Sequence, residues 1–175
     1  MNLTGKIFGI NGPIVYVGEN KAFKMGEMVL VGKDKLVGEV IGLTTGKTTI
    51  QVYEETTGLR PGDIVYGTGA AISVTLAPGI ISNIFDGIER PLQEIAAKSG
   101  MFITRGVSVE SLDTTKLWDV HVTVKPGDRV YGGTIIAEVP ETRAIVHKSM
   151  VPPDVFGTVT KVVPDGQYTI TDTIV

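Results

Sequence analysis

The residues best placed by type to do chemistry are Gly42-Leu43-Thr44-Thr45-Gly46-Lys47-Thr48. A glycine-rich loop ending in Gly-Lys-Thr can wrap phosphates with consecutive backbone N–H groups, but it needs four residues between its first glycine and the Gly-Lys pair. This chain has three, Leu43, Thr44 and Thr45. The loop must also pass from a strand into a helix whose N-terminus faces the anion. Here the following residues, Thr48-Thr49-Ile50-Gln51-Val52-Tyr53, are β-branched and strand-like. The spacing therefore predicts a hairpin turn.

The other candidates fail for equally specific reasons. His121 and His147 are the only histidines, there is no cysteine, and neither histidine lies in the close-spaced pair typical of a zinc site. Both read as strand histidines. Glu54-Glu55 could act together in a turn, but neighbours on a strand point to opposite faces, and no base or nucleophile accompanies them. Serines 73, 82, 99, 108, 111 and 149 show no Gly-x-Ser-x-Gly elbow. No catalytic, cofactor-binding or metal-ligating residue is assigned.

Composition narrows the function classes. With 42% hydrophobic and 20% charged residues, the 175-residue chain reads as globular, long enough for one large domain or two small ones. A net charge of −3 does not suit a protein that holds nucleic acid by neutralising phosphates, and the sparse aromatics argue against base stacking. Thiol chemistry and disulfides are excluded by the lack of cysteine. No run approaches the ~18–20 apolar residues of a membrane span. Met1–Lys6 lacks the apolar region of a signal peptide. The expectation is a soluble, cytoplasmic protein.

The elements that must carry these residues are mostly strands. The 22 glycines and nine prolines are spread along the chain, as tight turns between short strands require. Strands are expected near 3–10, 13–18, 28–32, 36–43, 47–53 and 64–65, with Ile50 and Val52 facing one way and Thr49 and Gln51 the other. Strands this short and evenly spaced suggest a closed barrel over 1–70. From Val120 the pattern returns to strands, at 120–124, 130–139, 144–151, 157–163 and 167–175, giving a second β module over 112–175. Trp118 is expected in its core, and a turn of helix is expected to start at Asp113.

Between them, residues 71–111 form a connector. Ile80, Ile81, Ile84, Phe85, Ile88, Leu92 and Ile95 recur at helical spacing. Gly87 and Pro91 interrupt the run, which predicts two helices, 80–86 and 91–98, with Pro91 at the first position of the second and Gly100 ending it. This face either packs on its own domain or lies against another.

The second module also resembles the biotinyl/lipoyl carrier fold. The residues concerned are Val124–Val130, Gly133–Ile136, Glu141-Thr142-Arg143-Ala144 and Pro153–Val159. Where those domains present a lysine, this chain has Arg143, whose guanidinium cannot be acylated as an amine is. Lys148 falls within the next expected strand. The fold class is therefore mainly β: a six-stranded-type barrel plus a lipoyl-like barrel-sandwich hybrid, joined by a short helical segment. An independent lipoyl-like carrier or scaffold without the modifiable lysine is the alternative reading.

Four segments carry a more extensive resemblance. They are Leu36–Ile41 with Ile50–Thr56; Pro78–Leu92; Phe102–Gly106 with Leu112-Asp113; and His147–Pro153. Together they look like the catalytic A subunit of V-type and archaeal A-type ATPases and ATP synthases, with a small departure at Ser149. The resemblance implies a barrel that joins its neighbours in the crown of an A/B hexamer, and a bulge, or non-homologous region, that distinguishes A from B. It further implies that the nucleotide-binding and C-terminal domains, with the Mg-ATP site, lie beyond this chain. B subunits are the implied partners, with peripheral stalk subunits after them. No nucleic acid is implied, and the membrane is reached only through the complex. This chain alone is expected not to bind ATP. Ile84, Phe85, Ile88 and Leu92 are the implied interface with the nucleotide-binding domain.

Overall fold

A computed structural model describes residues 3–18, 23–81, 83–100, 105–107 and 109–175. The chain divides into two compact units, Met1–Val74 with Glu94–Ser108, and Thr75–Gln93 with Val109–Val175. It is mainly β, with one short helix among the described residues.

The first unit is a closed antiparallel barrel of β1 (Thr4–Asn11), β2 (Ile14–Gly18), β3 (Glu27–Val31), β4 (Leu36–Thr44), β5 (Lys47–Val52) and β6 (Ile64–Ala71). The strand order is β1-β2-β5-β4-β3-β6, so no edge is left open. Alternation places Val15 and Val17, Val29 and Val31, Leu36 and Val40, and Ile50 and Val52 inside. The facing expected in β5 is observed, with Ile50 and Val52 buried and Gln51 exposed. Buried among these apolar side chains is Glu27, 2% exposed. Its carboxylate accepts the backbone N–H of Lys24 at 2.8 Å and of Gly69 at 2.8 Å. A buried carboxylate needs such donors, and this one fastens β6 to the turn that leads into β3.

The second unit holds β7 (Trp118–Val122), β8 (Arg129–Val130), β9 (Ile135–Pro140), β10 (Val146–Met150), β11 (Gly157–Thr158) and β12 (Gly166–Tyr168). They form a four-stranded antiparallel sheet, β10-β9-β7-β12, and a two-stranded sheet, β11-β8. Trp118, Val120, Ala137 and Val139 make one buried cluster, and Val124, Val130, Val151 and Val159 another. Trp118 is thus in the core, as expected.

Several expected elements are shorter or absent. The strand expected over 130–139 is split at Gly132-Gly133, where Gly133 has φ 86° and Thr134 N–H bonds Tyr131 C=O at 2.9 Å. Gly132 is required for packing: a Cβ there would lie 2.3 Å from the Pro153 carbonyl oxygen. The strand expected over 167–175 stops at Tyr168, because the Asp172 carboxylate accepts the Thr169 N–H at 2.7 Å and turns the chain. The strand expected over 157–163 is two residues long. No helix starts at Asp113. Its carboxylate accepts the N–H groups of Thr115 and Lys116 in a local turn instead.

Among the described residues of 80–86, the expected helix is also absent. Asp86 accepts the backbone N–H of Ile88 at 3.0 Å and of Arg90 at 2.9 Å, and Phe85 bridges to Pro91, so the segment closes as a loop. A side-chain acceptor two and four residues away outcompetes the helical ladder. The second helix, α1, runs Leu92–Ser99, with Pro91 one position before it. Gly100 ends it in the left-handed region, φ 74°, and its N–H bonds Ala96 C=O at 2.9 Å.

Candidate functional site

Gly42–Thr48 is a hairpin. β4 and β5 are joined by Thr45-Gly46, and Gly46 takes φ 78° in open space. Thr44 Oγ1 donates to the Lys47 carbonyl at 3.2 Å, and Lys47 Nζ lies 5.0 Å from the centre of the Tyr16 ring. Neither the helix nor the row of inward N–H groups that phosphate binding requires is present here.

Glu54 serves the barrel. It accepts the N–H of Gly106 at 2.9 Å, holding residues 105–107, while Arg105 pairs with Asp34. Glu55 accepts the Thr57 hydroxyl. The two carboxylates therefore have separate structural partners. His121 pairs on the surface with Asp165, which also accepts the Val122 N–H at 2.9 Å. Those two contacts, the backbone one first, hold the Asp165 carboxyl below the usual carboxylate range. Among the described residues no group of three His, Cys, Asp or Glu side chains could hold a metal ion. Ser82 and Ser108 lie outside the described residues.

At the carrier-like tip, β9 and β10 are joined by residues 141–145. Arg143 is exposed there. The Thr142 hydroxyl caps the tip by accepting the N–H of Ile145 at 3.1 Å. Lys148 sits inside β10, opposite Glu138, with 3.8 Å between Nζ and the carboxylate. No lysine stands where a carrier domain would present one.

Nothing in the sequence singles out Glu141. Readable there only as a turn residue, it turns inward, and its side chain is 0% exposed. Its Oε1 accepts the N–H of Gly79 at 2.8 Å and of Ile81 at 3.1 Å. Its Oε2 has no hydrogen-bond partner among the described residues. His147 Nδ1 is 3.9 Å away. His147 also lines a cavity of about 240 Å³ in this unit, with Leu76, Pro78, Trp118, Ser149 and Asp172. The Pro-Glu-Thr-Arg turn would look the same in sequence with its glutamate in solvent.

The four expected interface residues do not share a helical face. Ile84 is 62% exposed; Phe85, Ile88 and Leu92 are half-buried. Leu92 N–H bonds Ile84 C=O at 2.9 Å, which brings two of them together through the backbone. Asp86 sits between them. Burial would push its carboxyl up, but the Arg90 and Ile88 N–H groups and the Arg90 guanidinium outweigh that and hold it low.

The barrel and the second β module each match a family model. Residues 7–69 match the β-barrel domain of the ATP synthase alpha/beta family, and residues 109–175 match the ATP synthase alpha/beta subunit barrel-sandwich domain. The V-type ATP synthase alpha chain of Halothermothrix orenii is 52% identical over 175 residues, which are 100% of this chain and 30% of that protein. The A subunit of the A-type ATP synthase of Pyrococcus horikoshii is 49% identical over 97% of this chain and 18% of that protein. That of Methanosarcina barkeri is 48% identical over 99% of this chain and 30% of that protein. The chain thus spans less than a third of the length of these relatives. With both domains matched in order, and about half of its residues shared along its whole length, the chain belongs to the ATP synthase alpha/beta family, as the N-terminal region of the alpha, or A, subunit of the V-type and A-type ATP synthases.

Proposed function

We propose that this chain is the structural and assembly part of the catalytic A subunit of a rotary, proton- or sodium-translocating ATPase or ATP synthase. In that reading the barrel, residues 1–70, joins neighbouring B subunits in a crown. Residues 71–111 lead towards the nucleotide-binding domain, and residues 112–175 form the bulge, which reaches further partners such as peripheral stalk subunits. The complex sits at the cytoplasmic face of a membrane. The intact catalytic polypeptide binds Mg-ATP and interconverts it with ADP and phosphate; this chain alone does not bind nucleotide.

The observation that carries the reading is identity of about half, sustained over 170 or more residues, to relatives named as A or alpha chains of ATP synthases. The hairpin at Gly42–Thr48 supports the absence of nucleotide chemistry in this chain. Ile84, with Ile81 beside it at 51% exposure, is the apolar surface proposed to meet the nucleotide-binding domain, together with the accessible parts of Phe85, Ile88 and Leu92.

The test is a chimera in which this chain replaces the matching 175 residues of the Halothermothrix orenii alpha chain. It is expected to assemble with that organism's B subunits and to support ATP hydrolysis. A chimera that folds but stays outside the complex would overturn the proposal.

A further inference from the structure

Glu141 is a wholly buried carboxylate with one oxygen fully used and the other bare. Its Oε1 takes two amides of the 78–81 turn, from Gly79 and Ile81. That turn continues directly from Leu76, Ala77 and Pro78, which form one wall of the cavity. On the opposite side of the carboxylate, His147 in β10 is 14% exposed and places Nδ1 3.9 Å from Oε2. A buried carboxylate oxygen without a donor is costly. Closing 3.9 Å to hydrogen-bond length takes about 1 Å of imidazole movement.

We propose that Glu141 and His147 form a proton-linked clasp that fastens the 76–81 strap onto the β9–β10 hairpin. With neutral imidazole the strap is held by the two amide bonds, and an Nδ1–H donor to Oε2 adds only an uncharged, weaker hydrogen bond. When His147 takes up a proton, the imidazolium closes on Oε2, the buried charge is balanced, and the strap is held more tightly over the cavity. Histidine is the side chain whose charge ordinarily changes between about pH 5 and 8, which is the range to search for the effect. Its sign follows from the partner: a positive imidazole beside a carboxylate favours the closed strap at low pH, and the gain is lost as pH rises and the proton leaves.

The other groups facing His147 are few. Asp172 and Tyr168 share the cavity wall with it. Asp172 is already engaged by the Thr169 N–H and hydroxyl, which hold its carboxyl low. Tyr168 directs its hydroxyl to the Pro164 carbonyl at 2.8 Å. Neighbouring Lys148 is engaged with Glu138. Glu141 is thus the acceptor left open to His147.

Amide hydrogen exchange of the 175-residue chain, followed by NMR and corrected for intrinsic rates, tests the clasp. Protection of the Gly79 and Ile81 amides is expected to rise about tenfold from about pH 8 to pH 6, the scale of a hydrogen bond to a charged group. The Gly127 amide, bonded to Val159 C=O in the same unit, is expected not to change and reports that the unit stays folded. His147→Gln and Glu141→Gln should each abolish the pH dependence at Gly79 and Ile81. No pH dependence in the wild-type chain overturns the proposal, as does a dependence that survives His147→Gln.

Discussion

Among the described residues, eleven buried hydrophobic side chains of the barrel form one cluster inside six strands of five to nine residues. Among those of the second unit, eight are divided between two clusters, and the strands are two to six residues long. Closure lets the barrel satisfy its backbone strand by strand. Carboxylates hold backbone amides in both units, Glu27 and Glu54 in the barrel among them, but the short strands of the second unit rely on them more: Asp165 holds Val122, Asp128 holds Lys125, Asp172 holds Thr169, and Glu141 holds Gly79 and Ile81. The barrel has one larger packed core with a few such clips, and the second unit has more clips around two smaller cores. The second unit also holds a cavity of about 240 Å³.

The sharpest way to break this contrast is to delete core volume in each unit. Ile50→Ala, at a fully buried position in the barrel cluster, is expected to cost about 2–5 kcal/mol in denaturant unfolding. Val120 lines the cavity of the second unit. Val120→Ala removes two methyl groups next to existing space, for about 1–1.5 kcal/mol. Equal losses at the two positions would remove the distinction.

Gly132→Ala probes the second unit's tightest backbone approach. Its Cβ would stand 2.3 Å from the Pro153 carbonyl oxygen, so the 132–134 turn or the 152–154 segment must move, at about 1–3 kcal/mol. Thermal unfolding measures it. Gly46→Ala in the barrel hairpin meets open space and strains only φ, for about 1 kcal/mol.

The Asp86 clip makes a pH prediction. Its carboxyl is held below the usual carboxylate range in the folded chain. Its contribution is therefore complete above the unfolded-chain value of about 3.9, and is lost as pH falls through the lower folded value. Protection of the Ile88 and Arg90 amides, corrected for intrinsic exchange rates, should persist at about pH 5 and fall as pH drops below about 3.9. In Asp86→Asn that acid step should vanish. The smallest effect is expected at Arg143, exposed at the hairpin tip. Arg143→Ala should change stability by less than about 0.5 kcal/mol, as measured by denaturant unfolding.

The same contrast explains what could be read from the sequence. Barrel strands announce themselves through alternation, as in Thr48–Val52, and through turn glycines such as Gly46, because hydrophobic pattern and backbone conformation agree there. In the second unit the deciding contacts are polar and non-periodic. Ile80, Ile81, Ile84, Phe85 and Ile88 have helical spacing, yet Asp86 captures the amides of Ile88 and Arg90 and makes a loop. Asp113 does the same to an expected helix, and Asp172 to an expected strand. Glu141 is invisible in sequence because an inward-turned glutamate at a turn looks like any other. Arg143, by contrast, is informative, since the absence of a lysine at the tip needs no geometry to interpret.

Whether this chain contributes structure rather than chemistry is decided by calorimetric titration of its 175 residues with Mg-ATP. No saturable heat is expected at millimolar nucleotide, because Gly42–Thr48 is a β-hairpin. Saturable binding with Kd of about 1 mM or tighter, worth about −4 kcal/mol or more, would contradict that assignment.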